Sequence, residues 1–302
     1  MKTKIIILGI NGFIGNYIWK YLSLLNNYEV VGYSSQDCNL LSSGLIQRKL
    51  SDITPDDVII MTSAITRLKE NSFDSMMKNV SMTDNIVKLI GKNRVSCFVF
   101  LSTVDVYGLV DSRTIINERL LPNPNDYYAL SKLSGEYLLK RVCSSNNIPL
   151  LILRLSGIYG SGDHGKSTIN KLIESAIIKK EVTIYGDGKD KRDFVYIEDV
   201  GEIVKSGIEK RIDITINVAT GKSYSITEIV DIIKSCCQHD SDFAVKYKPI
   251  NNFSERRVKD IFYDISLLTS TFHKKLKDVK VGIPLYLNEY VGKDIHNGEK
   301  RQ

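Results

Sequence analysis

The sequence lacks any hydrophobic run that could span a membrane, since no apolar stretch approaches the roughly 18 residues of a spanning helix. It has few cysteines, and their odd number and spacing match neither a disulfide framework nor a zinc site. No signal peptide is visible, because the first residues lead directly into an apolar segment. These absences predict a protein of the reduced cytoplasm without a membrane partner.

The sequence also lacks a strong net charge, an internal repeat and a low-complexity segment. Its formal net charge is +6, from 41 basic and 35 acidic residues. That charge does not indicate a nucleic-acid partner, although it suits an anionic substrate. The one basic cluster, His273–Lys277, is interpreted as a solvated helix face. The hydrophobic fraction of 43% is ordinary for a globular protein.

The most informative stretch is the first strand and the turn after it. Four apolar residues, Ile5 to Leu8, predict a strand that is buried on both faces. Three glycines at a spacing of three follow, namely Gly9, Gly12 and Gly15. Apolar residues at helical spacing begin with Phe13 and Ile14, and so a helix is predicted from the turn onward. Such glycines allow a tight turn and a close approach of the backbone to a ligand. The helix N-terminus then favours a diphosphate.

The rest of the first half alternates short strands with helices. Further strands are predicted at Glu29–Tyr33, Asp37–Leu41, Asp57–Met61, Ser96–Leu101 and Ile148–Arg154, and helices at Ser43–Leu50, 73–90 and Tyr128–Asn146. Strands that are buried on both faces and alternate with helices predict an α/β fold with a doubly wound parallel sheet. Beyond Arg154, helices separated by short strands such as Thr215–Val218 predict a smaller, mixed α/β region.

Two polar groups suggest acid–base chemistry. Tyr128 and Lys132 are four residues apart on a predicted helix and therefore share one face. A nearby cation lowers the pKa of a phenol, which makes it usable in proton transfer. Thr103 follows a buried strand, at the edge where ligands bind in open α/β sheets. A turn-capping role for the Thr103 hydroxyl is the alternative.

With these motifs the chain resembles the extended short-chain dehydrogenases/reductases, and within them the NAD-dependent epimerases and dehydratases of nucleotide sugars. The resemblance runs from Lys4 to Asp264 and rests on GINGFIG, LSTVDVYG, YYALSK, LRLSGIYG, RDFVYIEDV and INVATGKSYSITEI. It implies a Rossmann-type NAD(P)-binding domain at residues 1–155. Residues 156–302 would then mainly form a region that binds a nucleotide-diphosphate sugar.

The resemblance also implies roles for individual residues. Thr103, Tyr128 and Lys132 would be the catalytic set, with Lys132 holding the nicotinamide ribose. Contacts to NADP or NAD would come from Gly9, Gly12, Phe13, Ile14, Gly15, Ser34, Asn39, Leu40, Ser63 and Ala64, together with Tyr128 and Lys132. Substrate contacts would come from Thr103, Asp105, Arg192 and Arg257, the two arginines at the diphosphate, with Arg256 as a competitor for the role of Arg257.

The sequence departs from the family pattern at several positions. Val104 stands where dehydratases carry an acid, and so a dehydratase is disfavoured. Strand two ends in Ser34-Ser35 without an acid, which permits NADP, although no Arg or Lys stands in the segment to Asp37. We therefore expect NADP or NAD, with a preference for NADP. Gly157 replaces an asparagine of the family, so the sugar specificity does not transfer.

The short interval from Ser34 to Asp57 resembles the sugar reductases rather than typical 4-epimerases. The expected function is therefore an NAD(P)H-dependent reductase of a nucleotide-diphosphate 4-keto-6-deoxysugar, serving surface polysaccharide synthesis. The alternatives are a nucleotide-sugar 4-epimerase with tightly held NAD and a non-catalytic NAD(P)-sensing protein on the same fold. The family also implies a homodimer formed through helices at Phe73–Lys92 and Tyr127–Asn146.

Overall fold

The computed structural model describes residues 2–111, 114–163, 167–237, 243–249 and 260–298. Nine helices in this part are α1 Phe13–Ser23, α2 Ser43–Lys49, α3 Phe73–Ile90, α4 Tyr127–Asn146, α5 Thr168–Ile177, α6 Ile197–Glu209, α7 Ile226–Cys236, α8 Ser266–Phe272 and α9 Val279–Gly298. Its strands are β1 Thr3–Leu8, β2 Tyr28–Tyr33, β3 Val58–Met61, β4 Cys97–Thr103, β5 Ile115–Ile116, β6 Leu150–Leu155, β7 Gly157–Tyr159, β8 Glu181–Tyr185, β9 Lys191–Tyr196, β10 Ile214–Val218, β11 Ser223–Ser225, β12 Ala244–Lys248 and β13 Phe262–Tyr263.

Six parallel strands form the central sheet, in the order β10-β6-β4-β3-β1-β2. Alternate residues of β1 enter two different cores. Ile5 and Ile7 pack on the side of α1 and α6, whereas Ile6 and Leu8 pack on the side of α2, α3 and α4. Because helices cover both faces, each strand can be apolar throughout. The predicted doubly wound parallel sheet is confirmed.

The strands of the central sheet end together at one edge. Leu8 of β1 pairs with Tyr33 of β2 and with Met61 of β3, and Thr103 of β4 pairs with Leu155 of β6. The strand order reverses between β1 and β3, where open sheets of this kind form a ligand crevice. The segments that follow these strands therefore surround one crevice.

The second half of the chain also contributes to the central sheet. Its strand β10 pairs in parallel with β6 through Ile214↔Leu151 and the following residues. The remaining strands make smaller sheets of β11-β9-β7, β12-β8 and β13-β5. The sequence anticipated the mixed character of this half, but not the return of residues 214–218 to the first sheet.

Two local predictions are wrong. Residues 37–41 form no strand, because the side chain of Asp37 bonds back to Ser34 and the backbone turns, with Cys38 N donating to Ser34 O at 2.9 Å. The basic cluster is not a helix face, since α8 ends at Phe272 and His273 has a left-handed φ of 51°. Two of its lysines, Lys274 and Lys277, form ion pairs with Asp199 of α6 instead. None of the helices in the described ranges has the length and apolar content that a membrane span needs.

Candidate functional site

The glycine turn joins β1 to α1 at the edge where the strands end. Gly9 has a φ of +105°, and its N–H donates to Tyr33 O at 2.8 Å, which holds the turn against the end of β2. A Cβ at Gly15 would overlap the carbonyl oxygen of Gly9, so that α1 packs here only without a side chain. Gly12 caps α1 without a side-chain hydrogen bond, leaving the first N–H groups available to an anion. This cradle fits a dinucleotide diphosphate.

The other predicted cofactor residues follow β2 and β3, the two neighbours of β1. Thr62 Oγ1, just after β3, donates to Leu8 O at 2.9 Å, and the backbone N and Oγ of Ser63 lie next to Gly9. Leu40 is buried and its carbonyl oxygen accepts from Asn85 Nδ2 at 2.9 Å, whereas Asn39 is exposed. The structure thus brings the glycine turn together with Tyr33 at the end of β2 and with Thr62 and Ser63 after β3.

The three predicted catalytic residues lie on two neighbouring elements. Thr103 is the last residue of β4, and its Oγ1 accepts from Asp105 N at 3.1 Å, which is the capping role that the sequence left open. Tyr128 and Lys132 lie one turn apart at the start of α4. α4 contacts both β4 and the 3₁₀ turn at Val104–Tyr107 that follows it. The hydroxyl proton of Thr103 is not needed for its capping bond and can serve a ligand.

Lys132 is almost completely buried, one turn after Tyr128 on α4. Its Nζ donates to Leu101 O at 2.7 Å and lies 4.7 Å from the centre of the Phe100 ring. Burial lowers the pKa of Lys132 to about 8, against the opposing effect of Glu136 one turn further along α4. The lysine is thus held in place by strand β4.

The pKa of Tyr128 moves in the direction opposite to the sequence expectation. Burial and then the charge of Asp105 raise this pKa, Arg67 lowers it, and Asp126 raises it. The charges that act on the phenol are therefore those of Asp105, Arg67 and Asp126, whereas the Nζ of Lys132 donates to Leu101 O. A raised pKa keeps the phenol protonated at neutral pH, and a protonated phenol is a proton donor.

A buried ion pair ties α4 to the central sheet. Glu136 accepts from Arg154 Nε and Nη2 at 3.0 and 2.7 Å and from Ser102 Oγ at 2.5 Å. Arg154 also donates to Tyr107 Oη at 2.8 Å, and Tyr107 donates to Asn217 Oδ1 at 2.8 Å. The network links α4 to β4, β6 and β10. Sequence reasoning missed Glu136, although its position four residues after Lys132 was a usable signal.

Arg67 is a second residue that sequence reasoning missed. It lies in the loop after β3, and its guanidinium contacts the Asp105 carboxylate at 2.8 Å and approaches Asp126 at 3.9 Å. Asn71 anchors the same loop, because its Oδ1 accepts from Tyr128 N at 3.1 Å. Asp105, a predicted substrate contact, is therefore already ion-paired. Arg67 lies outside the sequence motifs, so nothing in the sequence indicated its role.

The predicted diphosphate arginines lie in the second half of the chain. Arg192 is on β9, and its Nη1 donates to Lys191 O at 2.8 Å. Arg257 and Arg256 lie outside the described residues. Asp260, three residues after Arg257 in the sequence, accepts from Lys191 N at 3.2 Å and so lies beside β9.

A parallel sheet with helices on both faces and a glycine turn at its reversal point defines a Rossmann-type nucleotide-binding protein. The model of the NAD dependent epimerase/dehydratase family matches residues 5–219. The chain belongs to this family, whose members are enzymes of the extended short-chain dehydrogenase/reductase type.

Three curated relatives illustrate the chemistry of the family. The chain is 27% identical to the GDP-6-deoxy-D-talose 4-dehydrogenase of Aggregatibacter actinomycetemcomitans, over 79% of this chain and 82% of that protein. It is 26% identical to the GDP-L-colitose synthase of Yersinia pseudotuberculosis, over 82% and 86%. It is 28% identical to the dTDP-D-glucose 4,6-dehydratase of Dictyostelium discoideum, over 65% and 53%.

Solved structures share the fold. The UDP-glucuronic acid 4-epimerase of Bacillus cereus, in complex with UDP-glucuronic acid and NAD, superposes with a TM-score of 0.78 at 24% identity, over 95% of this chain and 98% of that chain. RMD from Pseudomonas aeruginosa, complexed with NADPH, gives a TM-score of 0.81 at 19% identity, over 96% and 99%. Folds of this type therefore hold either coenzyme.

Proposed function

We propose that the protein is an NAD(P)H-dependent reductase of a nucleotide-diphosphate 4-keto-6-deoxysugar. The observation that carries the proposal is the set of groups around Tyr128. Val104 is apolar, the nearby Asp105 carboxylate is ion-paired with Arg67, and the Tyr128 phenol carries a proton at neutral pH. Elimination of water would need free acid and base groups at this position. Ketone reduction needs only a hydride and one proton, and the site offers the proton.

In this mechanism the chain's own residues bind, orient and protonate the ketone. The bound nicotinamide supplies the hydride chemistry. Thr103 Oγ1 donates a hydrogen bond to the keto oxygen, and Tyr128 transfers its phenolic proton to the same oxygen as the alcohol forms. Lys132 would hold a ribose hydroxyl of the coenzyme, and its hydrogen bond to Leu101 O fixes its position beside β4. Gly9, Gly12 and Gly15 would hold the coenzyme diphosphate against the start of α1.

The nucleotide end of the substrate is proposed to bind in the second half of the chain. A cleft of about 650 Å³ lies between α5 and β8, lined by residues that include Lys171, Lys179 and Tyr185. Tyr185 is 64% exposed and offers an aromatic face for a base. A short turn connects β8 to Arg192, and Arg192 and Arg257 would then bind the diphosphate by their planar guanidinium groups.

The second candidate function is a nucleotide-sugar 4-epimerase that keeps its NAD bound. The observation in its favour is that Thr103, Tyr128 and Lys132 can serve hydride transfer in either direction. An epimerase, however, must first remove the proton from an alcohol. The raised pKa of Tyr128 disfavours that first step at neutral pH.

The proposed function is tested by following NADH and NADPH absorbance with a panel of nucleotide-diphosphate sugars. We expect coenzyme oxidation with a 4-keto-6-deoxysugar and none with the matching 4-hydroxy sugar. Coenzyme binding without oxidation of either coenzyme by any keto sugar would contradict the proposal.

The pH dependence of kcat/KM should show the effect of the Arg67 charge on the pKa of Tyr128. The charge of Arg67 lowers the pKa of Tyr128, whereas burial, Asp105 and Asp126 raise it. Arg67→Gln should therefore raise the phenol pKa further. In the alcohol-oxidising direction, which requires the phenolate, kcat/KM should rise with pH across the accessible range, and Arg67→Gln should lower it at every pH by up to about tenfold. Arg67→Lys should lower it less. The control is Arg94→Gln, a change of exposed charge in the loop before β4, and an equal loss in that variant would contradict the assignment.

We also propose that the protein is a homodimer. α3 and α4 pack against each other and expose an apolar stripe, namely Phe73, Met77, Tyr127, Leu130 and Tyr137. The expected dimer covers this stripe with the same stripe of a second chain. Tyr137→Glu should convert the dimer to a monomer in light scattering, whereas Leu24→Glu, which lies just after α1, should not. A wild-type protein with the mass of one chain would contradict the proposal.

A cytoplasmic role in making surface-polysaccharide precursors completes the proposal. All five cysteines are free thiols, and Cys38, Cys97 and Cys143 are buried. Free thiols suit a reducing compartment, and activated deoxysugars are donors for such polymers.

A further inference from the structure

We infer that Asp37 selects the coenzyme and that the protein prefers NAD(H) over NADP(H). The inference rests on the proposed function as an NAD(P)-dependent enzyme and adds the coenzyme to it. An acid that binds the adenosine ribose is expected directly after β2. Asp37 lies four residues after the end of β2, but a turn returns its carboxylate to Ser34, the first residue after the strand.

The end of β2 lies beside the glycine turn. Both Gly9 N and Ile10 N donate to Tyr33 O, at 2.8 and 3.3 Å. Ser34 is the next residue and is buried. A dinucleotide whose diphosphate sits on the glycine turn places its adenosine ribose at this strand end.

Asp37 returns its carboxylate to Ser34. Its Oδ2 accepts from Ser34 N at 2.9 Å and from Ser34 Oγ at 2.6 Å. Ser34 Oγ in turn accepts from the N–H groups of Gln36 and Asp37 at 3.2 and 3.3 Å. These four bonds fix the turn, and within the described part of the chain both carboxylate contacts run through Oδ2.

The charge at this position favours a 2′-hydroxyl and disfavours a 2′-phosphate. The hydrogen bonds from Ser34 lower the pKa of Asp37, and so the exposed carboxyl is ionised at neutral pH. A carboxylate accepts a hydrogen bond from a ribose hydroxyl but repels a phosphate. Among the groups that shift the pKa of Asp37, the cation Lys49 has the weakest effect. The segment from Gly32 to Asp37 contains no Arg or Lys.

This geometry argues against the preference for NADP that the sequence suggested. That preference rested on the serines at the end of strand two, where no acid stands in the linear sequence. The turn places an acid there nonetheless, because three residues suffice for Asp37 to reach back to the Ser34 N–H.

The test is an equilibrium titration of coenzyme-free protein with NADH and NADPH, followed by nicotinamide fluorescence, with no sugar present. Wild type should bind NADH about tenfold or more tighter than NADPH. Asp37→Asn keeps a side-chain oxygen for Ser34 N and Oγ but removes the charge. It should tighten NADPH binding about tenfold and change NADH binding by less than about threefold. The matched control is Asp56→Asn, which removes an exposed carboxylate from the loop before β3, at the opposite edge of the sheet.

The outcomes separate this inference from the proposed function. A wild type that binds NADPH as tightly as NADH, or an Asp37→Asn variant with an unchanged ratio of the two affinities, would overturn the role of Asp37 alone. An equal change in Asp56→Asn would reduce the effect to overall charge and overturn it as well. Failure of wild type to bind either coenzyme would overturn the proposed function itself.

Discussion

Tyr128→Phe should reduce the turnover number by about 10²–10⁴-fold, the usual contribution of general acid–base catalysis. The substitution removes one hydroxyl and leaves the ring that packs at the start of α4. Because the phenolic proton is needed only as the alcohol forms, the affinity for the reduced coenzyme should stay within a few-fold of wild type. Steady-state kinetics together with a fluorescence titration measure the two quantities separately.

The neighbouring tyrosine provides a matched control. Tyr127 is 43% exposed and packs edge-on against Phe73 with the ring centres 6.4 Å apart. Tyr127→Phe removes the same hydroxyl one residue away and should leave turnover near the wild-type value. Wild-type turnover in Tyr128→Phe, or an equal loss in both variants, would contradict the assignment of Tyr128 as the proton donor.

Glu136→Ala should lower the free energy of unfolding by about 3–5 kcal/mol, as expected when one partner of a buried ion pair is removed. The side chains of Arg154 and Glu136 are 5% and 1% exposed, so the remaining guanidinium would be buried without its counter-ion. Ser102 Oγ would also lose its acceptor. Urea unfolding of wild type and variant measures the difference.

Two further variants make this result specific. Glu181→Ala removes an exposed ion pair with Lys246 and should cost less than about 1 kcal/mol. Glu136→Leu combined with Arg154→Met removes both charges, and it should recover much of the stability lost in the single variant. A loss in Glu136→Ala no larger than in Glu181→Ala would contradict the structural role of the pair.

The sequence predicted the parts of the fold that depend on local patterns. The turn from Gly9 to Gly15 and the buried strands β1, β3 and β4 were predicted because apolar runs and glycine spacing are local signals. The pairing of β10 with β6 was not predicted, since a short strand that follows several helices carries no information about its partner. The order of strands that are distant in sequence can be read only from the three-dimensional structure.

The sequence predicted which residues form the candidate site, but not their charged partners or the direction of the Tyr128 pKa shift. Tyr128, Lys132 and Thr103 lie where the motifs indicated, and yet Lys132 contacts Leu101 O and the pKa of Tyr128 is raised. The partners that decide these charges are distant in sequence: Arg67 reaches Asp105 across 38 positions. Side-chain pairs of this separation leave no pattern in a single sequence.

The most direct test of the central claim is to denature freshly purified protein and quantify the nicotinamide nucleotide that it releases. A reductase exchanges its coenzyme in every cycle, so we predict far less than one nucleotide per chain and reversible binding of the reduced coenzyme afterwards. Close to one NAD(H) per chain that survives purification would contradict the reductase and identify an epimerase that retains its hydride.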